Sequence, residues 1–196
     1  MGEGTVSCPA DVSPLTLTAE ARGHPTATPE DLRLAFRRHA SGVAVITVPS
    51  PAGPVGFTAT SLASVSARPP RLSFNISQDS SSWPALTRAG HVGVHILHAR
   101  QEDLAARFAT RGIDRFAEPT SWRLGPRRVP LLDGVAAWLV AAIDQRIVVG
   151  DHAIVVARVL HVGLDDDQRP PLLHHDGRFH GYEGPFPGSA FGGHHA

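Results

Sequence analysis

Five short hydroxyl side chains, Thr58, Thr60, Ser61, Ser64 and Ser66, fall within the run GFTATSLASVSARPP from Gly56 to Pro70. Small residues let a main chain approach a flat ligand closely, and the N–H and C=O groups along it can read the polar edge of a ring system. An edge strand and turn rich in Ser and Thr is the plainer reading, and composition alone favours it. Asp79-Ser80-Ser81-Ser82 precedes a helical pattern at Trp83-Pro84-Ala85-Leu86. Free N–H groups and serine hydroxyls at a helix start can seat a phosphate, although simple capping by one serine explains the same residues. Gly150-Asp151-His152 lies between two strand-like runs. It is ordinary hairpin-turn material, or it sets an imidazole at a pocket mouth where it can stack on or hydrogen-bond a dinucleotide.

The fourth cluster is LLHHDGRFH, Leu172 to His180, with three histidines and an aspartate. Neighbouring side chains on a strand point to opposite faces, so His174 and His175 cannot share one metal ion there. No H-E-x-x-H accompanies them. A turn carrying one functional histidine is the preferred reading, and no metal is expected.

Absences narrow the chemistry further. The chain has no lysine, so all 18 of its formal cations are arginines. That removes Schiff-base chemistry, lysine-linked pyridoxal phosphate and the P-loop lysine. The single cysteine, Cys8, falls in a Gly- and Pro-rich opening stretch, which argues against a disulfide framework, a thiolate zinc site or a buried thiol nucleophile. Neither G-x-S-x-G nor G-x-G-x-x-G occurs, which removes the nucleophile elbow and the standard Rossmann fingerprint. A formal net charge of zero gives no broad attraction to nucleic acid or an anionic membrane. No apolar run reaches the length of a span, and the opening residues lack a basic start followed by an apolar stretch. A cytoplasmic protein is expected.

The elements that must position these residues follow from periodicity. Residues 1–27 read as a mobile tail, 28–184 as one domain and 185–196, with His194 and His195, as a flexible tail. Thr28-Pro29-Glu30-Asp31 predicts a capped helix start, with Leu32, Ala35, Phe36 and Ala40 on a core-facing side and Gly42 at its end. Strands are predicted at Val43–Val48, Arg71–Ile76 and, half-buried, through Val92, Val94 and Ile96. A helix follows from Gln101, with Leu104, Ala105 and Phe108 on one face. Val135–Leu164 predicts long hairpin material in three runs, Trp138–Ile143, Ile147–Val149 and Ile154–Val162. Leu172–Tyr182 predicts a last strand and turn. Many strands, a few short helices and no βαβ alternation point to a mainly β, antiparallel barrel.

Read in order, these segments resemble the flavin reductase family, which includes the reductase components of two-component flavin monooxygenases. The resemblance runs from about Asp31 to Tyr182. It is carried by LRLAFRRHASGVAVITV, by GFTATSLASVSARPPRLSF against the family's G-x-T-x-N-S-x-x-S-V-S-x-x-P-P, by QEDLAARFA with Arg115-Phe116, by Gly150-Asp151-His152 and by PLLHHDGRFH. It implies a homodimeric FMN-binding split β-barrel with FMN or FAD in a groove near the subunit interface. It implies hydride transfer from NADH or NADPH, and a flavin-dependent monooxygenase as recipient of the reduced flavin. By the same resemblance Thr58, Ala59, Thr60, Ser61, Ser64, Val65 and Ser66 contact the ring and ribityl chain. Gln78, Ser80 and Ser82 hold the phosphate, Phe108 and Arg115 neighbour the cofactor, and His152 and His175 place the nicotinamide. Three residues depart from the pattern: Thr60 for Asn, Gln78 for a basic residue and His174 for Tyr. No general acid or base is assigned, since the flavin carries the chemistry. Two other readings stay open, a flavin-binding electron carrier without nicotinamide turnover and a related split-barrel oxidase.

Overall fold

The structure, a computed structural model, describes residues 26–166 and 169–182. Cys8, His194, His195 and nearly all of both expected tails lie outside the described residues. Thr28 opens α1 (Pro29–Arg37) through a reciprocal cap. Its Oγ1 accepts the Asp31 N–H at 3.2 Å, and the Asp31 carboxylate accepts the Thr28 N–H at 2.8 Å. The expected core-facing side is not found: Leu32 and Phe36 are 59% and 63% exposed, and no residue of α1 is buried. Helical spacing of apolar residues selects a face but does not supply the surface that covers it, and no described residue covers this one. Nor does the helix run to Gly42. It ends at Arg37 because Ser41 and Gly42, strand β1 (Ser41–Gly42), pair with His174 and Leu173.

Eleven further strands follow among the described residues: β2 (Ala44–Val48), β3 (Val55–Ala59), β4 (Ala63–Ala67), β5 (Pro70–Ser77), β6 (His91–Ile96), β7 (Trp122–Leu124), β8 (Pro130–Leu132), β9 (Ala137–Val149), β10 (His152–Leu164), β11 (Leu172–His175) and β12 (Arg178–Gly181). Two short helices, α2 (Trp83–Arg88) and α3 (Glu102–Ala109), interrupt them. The main sheet has the order β3-β2-β6-β9-β10-β5-β4 and is antiparallel at every pairing. Smaller sheets, β1-β11-β12 and β7-β8, flank it. The fold is mainly β with short helices, as the sequence predicts.

The hairpin expected in three runs is two unbroken strands. Ile147–Val149 continues β9, and β-bulges absorb the irregular spacing that divides the pattern. Strand β6 is also more deeply set than its alternation predicts. Val92, Gly93, Val94 and His95 are all buried, because β6 lies inside the sheet with apolar packing on both faces.

One apolar cluster packs on the main sheet around Ile46, Phe57, Phe74, Ile76 and Leu86. A second, around Val45, Leu97, Phe108, Phe116 and Leu172, fixes α3 against β2 and β11. Arg146 ties β9 to α2, donating to the Leu86 carbonyl at 3.0 Å and to the Ala89 carbonyl at the open C-terminal end of that helix. These contacts hold the ends of β3, β5 and α3 together at one rim.

Candidate active site

At that rim is a cavity of about 440 Å³. Its floor comes from β3 and β5 (Phe57, Ala59, Ile76) and from Phe108 on α3. Phe108 seats closely because residue 56 is glycine: a Cβ there would stand 2.7 Å from Phe108 Cε1 and 2.8 Å from the Ile46 carbonyl. Thr58, Thr60, Ser61, Ser80 and Ser81 supply hydroxyls around the floor, Arg111 and Arg115 supply cations, and His152 stands at the edge. Pairing of His152 with Ser77 and of Ile154 with Asn75 brings the two strand ends to this rim in register.

Of the residues expected to hold a flavin, Thr58, Ala59, Thr60, Ser61, Ser80, Phe108 and Arg115 line the cavity together with His152. Their hydroxyls are not equally available. Thr58 Oγ1 gives its proton to the Ala105 carbonyl at 2.6 Å, so it anchors α3. Ser61 Oγ accepts the Asn75 N–H at 2.8 Å and keeps its own proton to donate.

The others stand elsewhere. Ser64, Val65 and Ser66 lie on β4, an edge of the main sheet, with a register shift between Ser64 and Ser66. Ser82 is buried and donates to the Gly56 carbonyl at 3.1 Å, which turns it away from the cavity. Gln78 reaches across to the β9–β10 turn, its Nε2 donating to the Gly150 carbonyl at 2.9 Å. His175 is exposed on β11 beside His180, at 6.4 Å between ring centroids. Its neighbour His174 points to the other face, packs edge-on against Phe179 and lines an adjoining trough.

Ser81, one of the three serines of the 79–82 run, also lines the cavity, as do Asn75 and Arg111, which the motif reading missed. Asn75 interrupts the apolar alternation Leu72, Phe74, Ile76 on its outward face, the signal that was available. It brings a side-chain amide to the same rim as Thr60, the position where the family pattern has asparagine.

The two arginines divide their work. Arg115 is held by its surroundings: Nε and Nη2 donate to the Thr110 carbonyl at 2.9 and 2.7 Å, and Nη1 donates to the Gly56 carbonyl at 2.9 Å and the Ser81 hydroxyl at 3.4 Å. Burial lowers its pKa, and the neighbouring Arg111 cation lowers it further. Arg111 makes no ion pair among the described residues, and the cavity's described lining has no carboxylate. Two close cations without a counter-ion favour an anionic ligand group.

The turn carrying His152 is also fixed. Gly150 takes φ +59°, His152 Nδ1 lies 2.8 Å from the Asp151 carboxylate, and that hydrogen bond chiefly holds the Asp151 pKa below the usual carboxylate range. A flat apolar floor, a rim of hydroxyls and an amide, and paired cations suit a tricyclic ring with a phosphorylated tail, so the residues fit a flavin. Among the described residues no cluster of three or more His, Cys, Asp or Glu side chains is placed to hold a metal ion.

Comparison with known proteins gives concordant matches. The flavin reductase like domain model matches residues 36–183. The NADH:FMN oxidoreductase of Rhodococcus qingshengii is 44% identical over 153 residues, covering 76% of this chain and 80% of that protein. The reductase subunit of a flavin-dependent monooxygenase from Rhodococcus jostii is 32% identical over 155 residues, covering 79% and 78%. The crystal structure of a flavin reductase domain protein from an Arthrobacter species superposes with a TM-score of 0.74 at 44% identity, covering 81% of this chain and 98% of that one.

Proposed function

The chain belongs to the flavin reductase like family, and from that membership we propose that it is an NAD(P)H:flavin oxidoreductase, moving hydride from a reduced nicotinamide to FMN or FAD. The observation that carries this reading is one rim at which an apolar floor, hydroxyl donors, paired arginines and an imidazole converge. When bound, the flavin supplies the two-electron acceptor for the hydride. The protein contributes position and dryness. Phe57, Ile76 and Phe108 exclude water beneath the ring. Main-chain N–H groups of the 58–61 segment and the Asn75 amide address the ring's polar edge, where negative charge grows. Arg111 meets the phosphate, with Ser80 and Ser81 beside it, while Arg115 holds the wall that Arg111 stands on. His152, oriented by Asp151, orients the nicotinamide. None of these steps needs a nucleophile or a general base, in keeping with a chain that has no lysine.

The reduced flavin passes to a flavin-dependent monooxygenase, as the reductase-subunit relative supports. The working unit is a homodimer. The uncovered apolar residues Leu32 and Leu34 of α1, and Ile147, Val148 and Val149 at the hairpin tip, support this. It works in the cytoplasm; among the described residues no helix is long and apolar enough to cross a membrane. The test is stopped-flow mixing of the protein with FMN or FAD and then NADH or NADPH. Oxidation well above the flavin blank is expected, and flavin binding without nicotinamide turnover would instead make the protein a carrier.

A further inference from the structure

Beside the flavin slot, and sharing Thr60, Ser61 and Asn75 with it, lies a second trough of about 500 Å³ whose far wall is α1. We propose that this trough receives the adenosine diphosphate arm of the nicotinamide dinucleotide, with Arg37 and Arg33 facing its phosphates. The proposal rests on the oxidoreductase reading and extends it to a site for the part of the substrate that takes no part in hydride transfer.

Continuity comes first. A dinucleotide whose nicotinamide lies over the slot must lead its pyrophosphate into adjoining space, and the three shared residues make the trough that space. Charge comes second. Arg33 and Arg37, one turn apart, both line the trough, and its described lining contains no carboxylate. Arg37 forms no ion pair among the described residues. Arg33 reaches Glu30 at 3.4 Å with both side chains largely in solvent, a weak pair that an incoming phosphate can displace. A guanidinium is the side chain best shaped for two phosphate oxygens. Third, the trough has an aromatic wall. Phe36, largely exposed, makes an edge-to-face pair with His39 at 6.0 Å between ring centroids, and its exposed aromatic surface suits a purine.

The wall is fixed relative to the rest of the site. The Thr28–Asp31 cap holds the start of α1, and the Asp176 N–H donates to the Arg37 carbonyl at 3.0 Å, tying its end to the β11–β12 turn. Arg33 is also near enough to the His152 turn that its charge adds slightly to the lowering of the Asp151 pKa, behind the dominant His152 hydrogen bond.

The experiment compares wild type with Arg37→Gln and the Arg33→Gln/Arg37→Gln double variant, using NADH and reduced nicotinamide riboside, which lacks the adenosine and both phosphates. Arg37→Gln should raise KM for NADH roughly tenfold, the double variant more, with kcat and FMN affinity close to wild type. The riboside should be oxidised with the same kcat/KM by all three proteins. Equal losses with both reductants, weakened FMN binding, or an unchanged KM for NADH would each overturn the proposal. So would a change in dimer mass as the only effect, which would assign the trough to a second copy of the chain. Calorimetry with ADP-ribose gives a readout independent of turnover: wild type should bind and the double variant should bind at least tenfold more weakly. A wild type that binds ADP-ribose but oxidises no NADH defeats the oxidoreductase reading and leaves the trough's assignment standing.

Discussion

Gln78 donates from its side-chain amide to the Gly150 carbonyl at 2.9 Å, and its backbone N–H donates to the next carbonyl, that of Asp151, at 3.0 Å. Both bonds clamp the turn that presents His152. The family pattern suggests a phosphate contact at position 78; the hydrogen bonding points to the nicotinamide side. Gln78→Leu removes one donor worth about 1 kcal/mol. Steady-state kinetics should show KM for NADH raised about fivefold, with the FMN dissociation constant unchanged. Gln78→Arg, which keeps a donor within reach, should recover most of the loss. A weakened FMN affinity in Gln78→Leu with KM unaltered would return Gln78 to the phosphate.

Arg111 and Arg115 should separate by assay. Arg111→Gln removes a cation that makes no ion pair among the described residues, so FMN should bind about tenfold more weakly while melting temperature stays put. Riboflavin, which has no phosphate, should bind as in wild type. Arg115→Gln removes two bonds to the exposed Thr110 carbonyl and a part-buried one to the Gly56 carbonyl, which keeps its Ser82 donor, a combined loss of about 1–3 kcal/mol. A fall in melting temperature of several degrees, seen without any flavin present, is the expected signature. Titration and thermal unfolding of both variants decide the division.

What the sequence made legible and what it hid differ in kind. The Thr28 cap, the α3 face at Ala105 and Phe108, and the strand ends at 58–61 and 152 were readable because each is set by local chemistry: a cap residue, a 3.6-residue period, a turn. The fate of individual hydroxyls was not. Ser80 and Ser82 are the same residue type two positions apart, yet Ser82 faces the buried Gly56 carbonyl and Ser80 the cavity. Only the packing of β3 against α2 decides which is which. The α1 face failed for a related reason, since its period marks a side that no described residue of the chain covers. His95 had no signal at all: it occupies a position that reads as the polar half of an alternating strand.

Gly56 offers a test of the floor itself. Gly56→Ala places a methyl 2.7 Å from Phe108 and 2.8 Å from a main-chain carbonyl. Both contacts are too short for a Cβ, so Phe108 and the main chain at Ile46 must both shift, at about 1–3 kcal/mol or more. Urea unfolding should show that loss, and FMN affinity should fall with it because the displaced ring intrudes on the cavity it lines. A variant of unchanged stability and affinity would mean that Phe108 has free space the structure does not show.

His95 sets the acid limit of the fold. It is fully buried on β6, its Nδ1 lies 3.1 Å from the Val45 carbonyl, and its Nε2 has no partner among the described residues. A carbonyl only accepts, so Nδ1 carries the proton and the ring is neutral. Burial pulls its pKa from 6.5 down to about 4, against a small upward pull from the Val45 bond and with a further lowering by Arg123. The folded state therefore refuses a proton that the unfolded chain takes up below its ordinary value. Above pH 6.5 the two states agree and the group contributes no pH dependence. As pH falls from 6.5 towards 4 stability is lost, reaching about 3 kcal/mol across the window. His98 and His91, both lowered chiefly by burial, act in the same direction. Urea midpoints between pH 7.5 and pH 5 should fall steeply before most carboxylates titrate, and His95→Gln should flatten that slope even if it lowers stability overall. Equal slopes in the two proteins would show that His95 is already solvated or charged in the fold.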